Sequence, residues 1–163
     1  MRKFDESLPM ALLRAREVTM GFFRPLLLAH GLTEQQWRVI RVLEEYGALE
    51  FNELSRIAWI QPPSLTGILG RLERDALVRR SRSKADQRRL HVALSAAGRR
   101  RFQVVSRDAE KQYGFIERQL GRTRLRSLMT VLHEFDRLEP APEARRTAPR
   151  AVSRPRRRAP SRR

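Results

Sequence analysis

Cysteine is absent from all 163 residues, which excludes disulfides, thiolate metal sites and thiol-based redox sensing. Histidine is scarce: His30, His91 and His133 stand far apart. No nucleophile motif, glycine-rich phosphate loop or metal-ligand spacing appears either, so the expectation is a protein that is not an enzyme and holds no cofactor or metal. No apolar run approaches the roughly 18 residues that a membrane span needs. A signal peptide is also missing, because Met1-Arg2-Lys3 is basic but Asp5-Glu6 follows where an apolar segment should begin. A cytoplasmic protein with no membrane partner is expected. Lysine is rare as well. Nearly all of the 35 basic residues are arginine, a skew typical of genomic base composition, so no single Arg is read as selected for bidentate contact on that ground alone.

What is abundant is positive charge. The net charge is +17, of which nine Arg and one Glu between Pro140 and Arg163 supply +8, leaving +9 on Met1 to Glu139. A basic body of this kind favours a polyanion as partner, since neutralising phosphates releases counterions. The length fits one domain plus a tail, and a hydrophobic content of 40% is enough for a core.

The most informative stretch is Asn52 to Leu94, within a candidate reading region of about residues 48–94. A short helix over Asn52 to Ile60 is punctuated by Gln61-Pro62-Pro63, and a second helix runs from Ser64 to Arg74. In the second, Leu65, Ile68, Leu69 and Leu72 fall on one face at helical spacing. Pro63, Gly67, Gly70 and Arg74 lie opposite, flanked by Ser64, Thr66 and Arg71. Two glycines inside a helix cost roughly 1 kcal/mol each against alanine, and close approach to another backbone, such as a DNA groove wall, would offset that. A hairpin follows. Leu90, Val92 and Leu94 alternate with Arg89, His91 and Ala93 as in a half-buried strand, with a partner strand from about Leu77 to Arg82. The turn between them, from Ser83 to Arg88, is polar, and Asp86 can bond neighbouring amides to fix its shape. Helix, turn, helix and basic hairpin in that order make a winged helix-turn-helix, in which the second helix reads the major groove and the wing reaches along the backbone or into the minor groove.

These residues resemble the MarR family of bacterial transcription regulators. The resemblance rests on Leu54-Ser55, Ser64-Leu65-Thr66, Arg71-Leu72-Glu73-Arg74-Asp75-Ala76-Leu77-Val78, Asp86-Gln87-Arg88 and Leu94-Ser95-Ala96-Ala97-Gly98, and covers most of Ser7 to Leu138. There are two departures. Ala76 stands where the family usually has Gly to end the recognition helix in a left-handed turn, at a cost of roughly 1 kcal/mol. Glu50 stands where Ser or Thr would cap the first helix of the motif. Ser64, Thr66 and Arg71, with Gly67 beside them, are the candidates for base edges or nearby phosphates, and Arg71 has the reach for a guanine. Arg74, Arg82, Lys84 and Arg89 are read as phosphate attraction, with a solvated surface charge as the alternative for each. The resemblance implies that Arg88 makes the wing contact and that Asp86 orients it through a salt bridge.

Along the rest of the chain, a helix is expected from Leu8 to Ala29 with Ser7 as its cap and Pro25 inside it. Thr33-Glu34-Gln35-Gln36 reads as a capping box opening a helix through Trp37, Ile40 and Leu43 to Tyr46. Ser95 caps a long helix to Leu120, about 38 Å at roughly 1.5 Å per residue. Leu125, Leu128, Leu132, Phe135 and Leu138 mark a last helix after Gly121, spaced as in a packing seam. The fold class is therefore mainly α with a small β-hairpin: a winged helix-turn-helix within a 1–139 domain. The helices at about 7–29, 95–120 and 122–139 carry more apolar surface than one chain can bury, which points to a homodimer in which they interlock. Residues 140–163 should be disordered, with an electrostatic clamp on DNA or an unselected solvated tail as equal readings.

The family resemblance also implies a small anionic aromatic effector bound between the dimer helices and the reading module. Ala15-Arg16-Glu17, Phe23-Arg24-Pro25 and Leu32-Thr33-Glu34-Gln35-Gln36-Trp37-Arg38 are similar to the homoprotocatechuate degradative operon repressors, a subgroup controlling hydroxyphenylacetate breakdown. For such a molecule Arg16 and Arg38 are candidate carboxylate partners, Met20, Phe23 and Trp37 candidate ring contacts, and His30 a candidate partner for a phenol. Core packing or structural salt bridges are the alternative for each. The expected function is a homodimeric repressor bound to a pseudo-palindromic double-stranded DNA operator, the alternative a nonspecific architectural DNA-binding protein.

Overall fold

The computed structural model describes residues 3–82 and 90–138. A single turn of 3-10 helix at Phe4–Glu6 leads into six α-helices, α1 (Leu8–Ala29), α2 (Glu34–Tyr46), α3 (Phe51–Ala58), α4 (Pro62–Arg74), α5 (Ala96–Leu120) and α6 (Arg122–Glu134), and three strands, β1 (Leu49–Glu50), β2 (Val78–Arg82) and β3 (Leu90–Leu94). A last 3-10 turn covers Phe135–Arg137. The architecture is mostly helical with a small antiparallel sheet, as the sequence pattern indicates.

Sheet order is β1-β3-β2. Val78 faces Leu94, Arg80 faces Val92 and Arg82 faces Leu90 across the hairpin, while Leu49 faces Val92 on the other side of β3. The sequence pattern signals the hairpin of β2 and β3 but not this third strand. Two residues are too short to show a period of two, and only the spare edge of β3 makes them a strand.

The core gathers Val39, Ile40 and Leu43 of α2, Leu54 of α3, Leu65, Ile68, Leu69 and Leu72 of α4, Val92 of β3 and Val105 of α5 into one cluster. It holds the helix-turn-helix against the sheet and the middle of α5. The helix starts are set by local chemistry. Thr33 and Gln36 form the reciprocal capping box, and Ser95 Oγ accepts from the Gly98 amide while donating to the Ala76 carbonyl. Ser7 sits at the N-cap of α1 without making the expected side-chain bond, and Glu50 likewise gives α3 no side-chain cap. α4 begins earlier than expected, at Pro62, because prolines lack only amides that have no intrahelical partner in a first turn.

Outside this core the helices are bare. Only Phe23 and Leu27 of α1 are buried, and α6 buries nothing. Leu8, Leu12 and Leu13 of α1, Phe115 and Leu120 of α5, and Leu128, Met129 and Val131 of α6 are all exposed. No described helix is long and apolar enough to cross a membrane.

Candidate nucleic-acid interface and ligand cavity

The two faces of α4 differ sharply. Leu65, Ile68, Leu69 and Leu72 are fully buried, whereas Ser64, Thr66, Gly67, Arg71 and Arg74 are exposed and Gly70 is half-exposed. A Cβ built on Gly67 would meet only Arg71 Nη1, at 4.0 Å, and one on Gly70 would meet nothing within 4 Å. Packing within the chain therefore does not require either glycine. Thr66 Oγ1 donates to the Pro62 carbonyl at 3.1 Å, which leaves its lone pairs facing outward. Arg80 of β2 is used internally: its Nε donates to Glu73 Oε2 at 2.8 Å, tying the wing to the recognition helix. Arg71 and Arg74 remain as the cations of the open face.

The end of α4 is closed by a left-handed residue. Ala76 has φ +55°, its amide donates to the Glu73 carbonyl, and the Leu77 amide donates to that of Leu72 at 2.8 Å. This is the turn for which glycine is usual, in agreement with the expectation. Of the wing residues, Arg82 pairs with Leu90 through its backbone. Its side chain, the wing residues Lys84, Asp86, Arg88 and Arg89, and the tail 140–163 lie outside the described residues.

A cavity of about 370 Å³ is bounded by α1, α2 and the turn after α3. Arg16 and Met20 of α1, Trp37, Arg38 and Arg41 of α2, and Trp59 after α3 are among its walls. Four of the six residues singled out for a ligand thus share one space. The other two sit elsewhere. Phe23 is buried with its ring 4.8 Å from that of Tyr113, and His30 Nε2 is 3.1 Å from Asp108 Oδ2 where α1 meets α5.

The arginines of the cavity are not equivalent. Arg16 and Arg38 both pair with Glu34, and Arg24 approaches the same carboxylate at 3.4 Å. Arg16 and Arg24 also grip Glu17, whose carboxyl is held below its usual range chiefly by the hydrogen bond from Arg24. Burial, and after it the charge of Arg16, push Arg38 down from the ordinary guanidinium value. Arg41 differs in having a neutral neighbour, its Nη1 donating to the Tyr113 hydroxyl at 3.2 Å. Trp37 lines the cavity and stacks on Phe102 of α5, with centroids 5.5 Å apart. Arg41 and Trp59 in the wall, and Tyr113 behind Arg41, are among the residues that local sequence pattern did not single out, as are the acidic Glu45 and Asp136 of the same wall. Arg41 and Tyr113 are 72 positions apart, and no local spacing signals such a pair.

Comparison with known proteins agrees with this geometry. The MarR family profile matches residues 32–90, from the approach to α2 to the first residue of β3. The homoprotocatechuate degradative operon repressor of Escherichia coli is 43% identical over 130 residues, covering 80% of this chain and 88% of the repressor. The crystal structure of the transcriptional regulator PA4135 superposes with a TM-score of 0.79 at 48% identity, over 82% of this chain and 98% of that one. That of NadR in complex with 4-hydroxyphenylacetate gives a TM-score of 0.74 at 40% identity, over 85% and 99% respectively. With a winged helix-turn-helix at its centre and relatives matched over nearly their whole length, the chain belongs to the MarR family.

Proposed function

We propose that this protein is a homodimeric, sequence-specific repressor that binds a pseudo-palindromic operator and is released by a small aromatic carboxylate of the hydroxyphenylacetate type. The observation that carries the DNA reading is the open face of α4. It is small, polar and basic, a Cβ added at its two glycines would meet only Arg71 Nη1 at 4.0 Å, and it is backed by four fully buried aliphatic side chains. Ser64, Thr66 and Arg71 would then reach base edges or nearby phosphates, with Gly67 allowing close approach and Arg74 attracting the backbone.

A dimer is supported by the bare apolar residues of α1, α5 and α6, which a second copy would cover. Two recognition helices would then enter successive major grooves about 34 to 36 Å apart. The effector class is supported by the walls of the cavity and by the two relatives whose names concern homoprotocatechuate and 4-hydroxyphenylacetate. Within the cavity Arg16 and Arg38 already share Glu34. Arg41, bonded to a neutral phenol, is therefore the arginine best placed for a carboxylate, with Met20 and Trp37 against the ring.

Selection of binding sites from a random duplex pool tests this reading, followed by competition with bulk DNA and titration with 4-hydroxyphenylacetate. A regulator yields a two-fold related sequence preferred by about a thousandfold or more, and the acid lowers its affinity. No enriched sequence would favour a nonspecific architectural role instead.

A further inference from the structure

Residues 140–163 carry a charge that the open face of α4 leaves unused. They hold nine Arg against one acidic residue, Glu143, whereas Met1 to Glu139 holds 26 basic residues against 17 acidic ones. A genomic preference for arginine replaces lysine but does not remove carboxylates, so it accounts for the kind of cation and not for the imbalance. The fold shared with PA4135 takes up 98% of that chain but 82% of this one. The last described element ends at Arg137, so the segment is an addition to the common domain.

Composition narrows the partner. From Pro140 onward there is no aromatic side chain, and Val152 is the only residue among Val, Leu, Ile and Met. Single-stranded nucleic acid is held on aromatic platforms, and stable attachment to a membrane joins a basic run to an apolar or lipid anchor. The segment offers neither, and the chain has no cysteine to acylate. What it offers is guanidinium groups, which need only phosphate oxygens within reach. Duplex DNA presents these at one charge per about 1.7 Å of axis.

Position supplies a second argument. Asp136, in the last 3-10 turn, lines the same cavity as Trp59, and Trp59 stands three residues before Pro62, where α4 begins. The segment therefore leaves the fold across one cavity from the turn that opens the recognition helix. The residues beyond Leu138 can extend at most about 80 Å, more than twice the spacing of about 34 to 36 Å between half-sites. Among the described residues, the open face of α4 offers only Arg71 and Arg74 as cations.

We propose that the arginines of residues 140–163 neutralise duplex phosphates beside the half-site that α4 reads, as a contact independent of base sequence and additional to α4 and the wing. This rests on the DNA reading above and extends it. Each phosphate neutralised releases condensed counterions, so the contact adds affinity for any duplex. The choice of sequence stays with α4, because phosphate contacts carry no base information.

The test uses the full chain, with all nine arginines from Arg145 to Arg163 changed to Gln in one variant and to Lys in another. Binding is followed by fluorescence anisotropy across a salt series. The probes are the selected duplex, with about one helical turn of flanking DNA on each side, and a random duplex of equal length. At about 0.1 M salt the Gln variant is expected to bind both duplexes about tenfold or more weakly than wild type. Its plot of log K against log salt should be shallower by about 2 or more, since each lost phosphate contact removes about 0.9 from the slope. The Lys variant should keep the wild-type slope, and urea midpoints should be equal for all three proteins, which a structural role of the arginines would not give. Wild-type affinity and slope in the Gln variant overturn the proposal and leave the reading of α4 standing. A loss confined to the selected duplex, or one that the Lys variant shares in full, also overturns it. So does a Gln variant that binds both duplexes as wild type does but no longer binds vesicles of one-third anionic lipid, which would assign the segment to a membrane surface. A wild-type chain that binds no duplex overturns the DNA reading and this proposal together.

Discussion

Of the eight glycines, Gly98, in the first turn of α5, leaves the least room for a side chain. An added Cβ would lie 2.0 Å from the Leu77 carbonyl oxygen, 3.0 Å from its carbon and 3.2 Å from Leu94 Cδ2. The obstacle is backbone, and it cannot swing aside. The Leu77 amide is bonded to Leu72 at 2.8 Å, its carbonyl accepts from the Ser95 amide at 3.0 Å, and the preceding Ala76 carbonyl accepts from Ser95 Oγ at 2.6 Å. In Gly98→Ala the first turn of α5 must therefore retreat by about 1 Å. That costs about 1 to 3 kcal/mol of packing and about 1 kcal/mol or more for the Ser95 bonds it stretches, against a gain of up to about 1 kcal/mol in helix propensity. The net expectation is a loss of about 2 to 3 kcal/mol. Urea unfolding at fixed protomer concentration checks it, with the midpoint falling by about 1 to 2 M for a domain of this size. Equal midpoints for Gly98→Ala and wild type would refute the reasoning, since nothing else in the contact can absorb a methyl group.

The left-handed turn after α4 makes the opposite prediction. Ala76→Gly relieves a strained φ of +55° worth about 1 to 2 kcal/mol, less about 0.4 to 1 kcal/mol for the freer unfolded chain, so the melting temperature should rise by a few degrees, and a fall would contradict it. Asp108 links stability to pH. Its carboxyl is held below the ordinary range, first by the hydrogen bond from Lys111 and then by that from His30, so its contribution is present above the unfolded carboxylate value of about 4 and is lost as pH falls through the lowered folded value. The urea midpoint advantage of wild type over Asp108→Asn should accordingly narrow in acid, and a gap constant from neutral pH to about pH 2 would rule this out.

How much of this was readable without coordinates follows from the range of each interaction. α1 ends where its periodicity stops at Ala29, α5 ends at Leu120 before Gly121, and β3 spans the alternating Leu90 to Leu94. Each is fixed by signals a few residues wide. The capping box of α2 and the strained Ala76 were legible for the same reason. What escaped was tertiary. β1 exists only because β3 offers a free edge, and the Arg41–Tyr113 pair joins distant segments. Phe23 and Trp37 look alike as aromatic residues on helix stripes, but the first is buried beneath the exposed Tyr113 ring and the second borders the cavity. Arg16 and Arg38 were found in the cavity, yet Glu34, the carboxylate they share, lies four residues before Arg38 and was read only as part of a helix cap.

The open glycine face of α4 is the point on which the functional account turns, and Gly67→Ala tests it most directly. Because the added methyl meets only Arg71 Nη1 at 4.0 Å, the variant should be more stable than wild type by up to about 1 kcal/mol. Its affinity for the selected duplex should nonetheless fall about tenfold or more as the backbone is held off the groove. Stability and DNA affinity moving in opposite directions is the predicted result; a Gly67→Ala protein that is more stable and binds the duplex as well as wild type would contradict the account.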